Sequence, residues 1–176
     1  MERAASRNPE DKSLEAILGD EELQQLRQDF KEQELIDSTR AGIGRKLPDS
    51  TGFIDTLEEQ FYQRASNQTP EQYREFARQR ESQLITLFLV YSHGQGFFLS
   101  LHFYWGLMMG LSPPELVKQL LLVGMYGGIQ VLNAGQMTLE RTLLYLKRRV
   151  DERKTTTLEI LGGITTVSPD PLAPAG

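Results

Sequence analysis

The sequence predicts an all-α domain of about six helices. Three observations carry that expectation: apolar residues recur at three- and four-residue spacing along most of the chain, two capping boxes mark helix starts, and no pair of segments alternates as strands do. A single domain is expected, because 176 residues with 39% hydrophobic side chains suffice for one core and not for two. The expected boundaries are a loose polar segment over 1–12, the helical domain over 13–154 and a flexible tail over 155–176.

From Asp20, read as an N-cap, "EELQQLRQDFKEQELI" sets Leu23, Leu26 and Phe30 at helical spacing among charges, predicting one amphipathic surface helix. "RAGIGRKLPDSTG" interrupts the period with Gly42, Gly44, Pro48 and Gly52 and reads as a connecting loop. Phe53, Leu57 and Phe61 then form one helical stripe. Thr69, Pro70 and Gln72 make a capping box with proline at the first helical position, opening a long helix. That helix is charged in its first half and apolar in its second, as if it passed from solvent into the core. After the Gly94-Gln95-Gly96 turn, a helix over about 97–109 is apolar nearly all round. Phe98, Leu99, His102, Trp105, Gly106 and Met109 share one face. Burial on every side is expected of it, at the centre of the domain or at a subunit interface. Ser112 and Glu115 box the start of the next helix, and Gly127 and Gly128 stop or kink it. A final long helix carries Leu139, Leu143, Leu146 and Val150 as a narrow seam, with Lys147, Arg148 and Arg149 near its C-terminal end, where positive charge is favoured. From Thr155 the β-branched and proline-rich sequence shows no helical period and reads as a mobile tail.

Composition excludes several function classes. The formal charge is −5, from 19 Lys and Arg against 24 Asp and Glu, which leaves no electrostatic footprint for nucleic acid. There is no cysteine, so thiolate metal sites and thiol redox chemistry are out; a reducing, cytoplasmic setting is the expectation. "MERAASRNPEDKSLEAILGD" has no apolar core of a secretory signal. Residues 84–111 hold the most apolar sequence, but "SHGQG" splits them into pieces too short to span a bilayer, and no membrane partner is expected.

The chain has two histidines, His93 and His102, both inside that apolar stretch. His102 on an apolar helix is either a core histidine with one hydrogen bond or a general acid or base. His93, beside the Gly94 turn, is either a surface histidine or a second catalytic group that orients substrate or exchanges protons. Tyr91, Gln95, Tyr126 and Asn133 offer uncharged hydrogen-bonding groups to a carboxylate or enolate, and equally serve as packing residues. Phe98 and Trp105 read as pocket wall or core. Glu81 is the nearest carboxylate for a proton relay. Two histidines nine residues apart, without Asp or Glu in 82–114, fall short of a zinc site, so no metal and no cofactor are expected.

"HFYWGLMMGLSPPE" followed by "YGGIQVLNA", with "RQRESQLITL" upstream, resembles the carboxymuconolactone decarboxylase family, which includes the alkylhydroperoxidase D group. The family's pattern places a histidine early on a helix, a small residue four positions later, a glycine four beyond, then a capped S-x-x-E helix leading to a Y-A-G-x-P-A-A-x-N-A segment. His102, Gly106, Gly110, Ser112 to Glu115, Tyr126, Gly128 and Asn133 occupy those places, and the similarity spans about residues 75–146. The resemblance implies an alkylhydroperoxidase D-like helical bundle, lyase or isomerase chemistry, and assembly as trimers or hexamers. The chain departs from it where chemistry matters. The C-x-x-C positions are Gln95 and Phe98, the decarboxylase branch's glutamate one turn before the histidine is also Phe98, and the proline of the last motif is Gln130. No thiol peroxidase is therefore expected. Two readings remain. One is a cofactor-free enzyme using His102, with His93, on a small lactone, enol or keto acid. The other is a non-catalytic oligomeric member, structural or binding a small ligand.

Overall fold

The computed structural model describes residues 13–46, 49, 51–91, 96–164 and 166–167. The expected loose segment 1–12 lies outside them. All regular structure among the described residues is helical: α1 (Asp20–Asp29), α2 (Glu32–Lys46), α3 (Thr51–Leu57) running into one π-helical turn (Glu58–Tyr62), α4 (Pro70–Tyr91), α5 (Phe97–Met108), α6 (Pro113–Gly127), α7 (Ile129–Asp151) and α8 (Thr157–Ile164). None of the described helices is long and apolar enough to cross a membrane.

Two antiparallel hairpins, α4 with α5 and α6 with α7, make the frame, and α1 and α8 pack on α5. α5 is the centre. Leu99, Phe103, Tyr104 and Leu107 are fully buried, and the ring of Phe30 meets Tyr104 edge-on at 5.7 Å. The all-round apolar helix thus finds its cover within one chain. Phe53 and Phe61, read from the sequence as one helical stripe with Leu57, are exposed and take no part in that cover. Arg27 of α1 donates to the carbonyls of Leu107 (2.8 Å), in the last turn of α5, and of Leu111 (3.1 Å), just beyond it, and so ties α1 to the end of α5. The chain leaves α5 through Gly110 at φ 110°, a left-handed conformation that glycine adopts without strain.

Both capping boxes form. Gln72 N–H donates to Thr69 Oγ1 at the start of α4, and Ser112 and Glu115 exchange hydrogen bonds at the start of α6. Gly128, at φ 94°, turns α6 into α7.

Four expectations need correction. Gly19, not Asp20, is the N-cap of α1, and the first helix breaks at Phe30, whose extended backbone separates α1 from α2. The expected loop at 40–52 is largely helical: α2 continues through Gly42 and Gly44 to Lys46, and Gly52 lies in α3, while Pro48 falls outside the described residues. The second half of α4 does not sink wholly into the core, for Ile85 and Leu89 are buried but Leu87, Val90 and Tyr91 are exposed. The expected mobile tail contains α8, whose Ile160 and Ile164 are buried. Its Thr157 Oγ1 accepts from Lys31 N–H at 2.8 Å, and Tyr145 OH donates to Ile160 O at 2.7 Å.

Candidate functional site

The α4–α5 hairpin brings Glu81 against His102. Gly106, one turn after His102, permits the approach: a Cβ there would lie 2.8 Å from Leu111 Cδ1, 3.2 Å from Ile85 Cδ1 and 3.6 Å from Glu81 Cβ. The helices close to a distance at which Glu81 Oε2 and His102 Nδ1 stand 2.7 Å apart. Glu81 is 0% exposed and His102 6%. With the carboxylate ionised, this contact puts the imidazole proton on Nδ1 and leaves the lone pair on Nε2.

Arg80, next in sequence, is also buried and organises the rest. Its Nε donates to Glu81 Oε1 (2.8 Å), Nη2 to Glu32 Oε1 (2.9 Å) and Nη1 to the carbonyl of Phe61 (2.6 Å). The π-helical turn presents that last acceptor and also brings the Tyr62 ring under the guanidinium, 4.1 Å from its centroid. Glu32, from α2, accepts a second bond from Trp105 Nε1 (2.9 Å), and the Tyr73 hydroxyl lies 3.0 Å from both Glu32 Oε2 and the Tyr62 carbonyl. Two carboxylates, one guanidinium and one imidazole therefore share a centre built from α2, the π turn, α4 and α5.

The aromatic walls are ordered in the same place. Phe88 stacks on the imidazole at 4.9 Å and on Phe98 at 5.7 Å, and Trp105 lies parallel to the imidazole at 5.9 Å. Burial lifts both phenols to about 12, Tyr62 with added push from Glu81 and Tyr73 from Glu32, so each remains a protonated donor at neutral pH. Burial works against the charge on Arg80, but Glu81 and Glu32 outweigh it and its pKa is raised. This guanidinium stays charged.

Of the residues singled out in the sequence, Glu81, His102 and Trp105 meet in this centre, and Phe98 adjoins it through Phe88. Tyr91 and Tyr126 are exposed at the ends of α4 and α6. Asn133 is exposed on α7 and lines a separate cavity of about 430 Å³ with Leu14, Gln136, Met137 and Glu140. The structure does not gather these three around His102. His93 and Gln95 lie outside the described residues. Among those described, no three His, Asp or Glu side chains are grouped as metal ligands.

Sequence reasoning missed Glu32, Arg80, Tyr62, Tyr73 and Phe88. Only Arg80 carried a local signal, as a cation next to Glu81 on a helix that turns apolar. The others come from elements whose approach no local spacing announces. No protein-family model matches the chain, and neither a curated protein nor a solved structure matches it.

Proposed function

We propose that the chain is a cofactor-free enzyme resembling the carboxymuconolactone decarboxylase family, acting by acid–base chemistry on a small lactone, enol or keto acid. The observation that carries this reading is the buried 2.7 Å contact of Glu81 with His102 Nδ1. In the proposed step Nε2 takes a proton from the carbon beside the substrate carbonyl. The positive charge that develops on the ring faces Glu81, and the same proton returns to the enolate at the carbon where the product needs it. Arg80 holds Glu81 in place and does not touch the substrate. Phe88 and Trp105 give the imidazole apolar flanks, which suits a partly apolar substrate. Lacking cysteine, the chain has no route to thiol-dependent hydroperoxide reduction.

A second reading has its own support. Glu81 is sealed from solvent and His102 nearly so, and the carboxylates, guanidinium and indole N–H satisfy one another. Such a network serves a structural or ligand-binding member by fixing the register of α4 on α5.

The experiment that separates them is proton NMR in deuterated water with a panel of small lactones, enols and keto acids. On the catalytic reading the wild-type chain turns over, or deuterates, at least one compound. His102→Asn and Glu81→Gln lower that rate by ~10²- to 10⁴-fold while remaining folded. Binding without exchange, equal in His102→Asn, leaves only the structural reading.

A further inference from the structure

α7 buries Val131, Gly135, Thr138, Leu139 and Leu143 along one face. Beside that face runs a second stripe, Asn133, Gln136 and Glu140, whose three- and four-residue spacing sets three polar side chains in one line along the helix. A short 3₁₀ turn (Leu14–Ala16), followed by the buried Ile17 and Leu18, packs on α6 and α7. Leu14 from that turn and Met137 from α7 join the stripe in lining a cavity of about 430 Å³. Small-molecule sites occupy about 300–1,000 Å³, so this one has room for a small ligand. We propose that it binds a primary alkylammonium ion, with Glu140, Gln136 and Asn133 as acceptors for the N–H groups.

Charge and hydrogen-bonding capacity both point to that ligand. Farther along α7 the charged side chains are satisfied within the chain, Lys147 by Glu22 and Arg149 by Glu152. The side chains of Asn133, Gln136 and Glu140 have no hydrogen bond or ion pair to any described residue. Three neighbouring acceptors are therefore left for a ligand, and an ammonium group has three donors to offer them. Glu140 sets the sign, because no cation lines the cavity and the one beside it in sequence, Arg141, projects about 100° farther round the helix. The net charge of −5 adds a general attraction for cations. A bare divalent metal suits the cavity less well, since Glu140 is its one carboxylate. Leu14 and Met137 give the methylene chain an apolar seat, and the thioether adapts readily to its shape. The inference is independent of any chemistry at His102.

Heteronuclear NMR of the full chain, titrated with n-butylammonium chloride at constant ionic strength, tests it. The expected result is saturable shifts of the Asn133 and Gln136 side-chain amides with a dissociation constant in the millimolar range, as befits a ligand of few atoms. Glu140→Gln should weaken binding at least ~5-fold, and Gln136→Leu should weaken it as well. Tetramethylammonium, which carries the charge without N–H groups, and n-butanol, which carries the chain without the charge, should each bind more weakly than n-butylammonium. Glu140 is exposed and Gln136 half-buried, and circular dichroism confirms that both variants fold. Absence of saturable shifts overturns the inference, as does binding indifferent to Glu140→Gln. Equal binding of n-butanol would reduce the cavity to an apolar depression, and equal binding of tetramethylammonium would reduce it to a diffuse negative charge; either result overturns the site proposed.

Discussion

Replacing Arg80 by Met isolates the charge at the centre of the site. Methionine keeps much of the apolar stem against Tyr62 and Trp105, so packing changes little, while the three donated hydrogen bonds disappear. Glu32 retains Trp105 Nε1 and shares the Tyr73 hydroxyl, but Glu81, 0% exposed, is left with His102 as its one side-chain partner among the described residues. Breaking a buried pair in this way costs about 3–5 kcal/mol, because the remaining charge is neither solvated nor compensated. Against a total stability of ~5–15 kcal/mol that is a large share. At roughly 2–4 °C per kcal/mol for a domain of this size, the melting temperature should fall by about 6–20 °C. Urea unfolding followed by circular dichroism at pH 7 measures the loss directly. The double variant Arg80→Met with Glu81→Gln should recover part of it, with a coupling of ~0.5–3 kcal/mol, since the stranded charge is then gone. A loss below about 1 kcal/mol in the single variant, or strict additivity in the double, would refute the view that Arg80 compensates Glu81.

Three further outcomes follow from the geometry. Partial burial opposes ionisation of Glu115, but the Ser112 N–H and O–H and the Arg78 guanidinium outweigh it and hold its pKa below the ordinary 4.5. The stability it contributes is therefore full above that value and fades as pH falls through the lower folded one. Glu115→Gln should be less stable than wild type at pH 7, with the gap closing in acid titrations, and a gap constant down to the acid limit would contradict this assignment. Gly42→Ala should stabilise the chain by about 0.5–1 kcal/mol in urea, because the position is helical and an added Cβ meets nothing within 4 Å; a loss would restore the loop reading of that segment. Deleting residues 155–176 removes Ile160 and Ile164 from the core, worth about 1.5–3 kcal/mol each before any cavity left behind, so the melting temperature should drop by ~10 °C or more, and an unchanged melting curve would sink the idea that α8 belongs to the core.

What the sequence disclosed was local. Thr69 with Gln72 and Ser112 with Glu115 announce their helices because a cap is a contact across three residues. The all-apolar period of α5 implies burial without saying by what. α8 was legible in part: Thr156 N–H and Oγ1 both donate to Glu159, a capping-box pairing, and Thr157, Ile160 and Ile164 follow at helical spacing. Threonines and glycines with low helix propensity obscured it, and the burial of two isoleucines overrides that propensity. The break at Phe30 is different in kind. Charges and leucines continue through it in helical register, and the turn is held from 126 residues away, by Thr157 on Lys31 N–H and Thr155 on Asp29.

The same distance explains why the centre was only half seen. Glu81 and His102 are 21 residues apart and belong to one hairpin, so a pattern of helix, turn and helix brings them within consideration. Glu32 reaches Arg80 across 48 residues and Trp105 across 73. Its helix is weakly amphipathic and gives no sign that a glutamate in its first turn faces inward. Glu32 nevertheless links the N-terminal helices to the hairpin, since it orients Arg80, which orients Glu81, which sets the imidazole tautomer. A core filled with apolar side chains would be at least as stable as one holding four ionisable groups. Stability alone therefore does not account for the cluster. What the charges provide is definition: one register of α4 on α5, one rotamer for Arg80 and one tautomer for His102. A catalytic base and a ligand-gripping scaffold both need that definition, and they part only at Nε2, the ring atom turned away from Glu81, where a proton is either exchanged with a substrate or held against a neighbour.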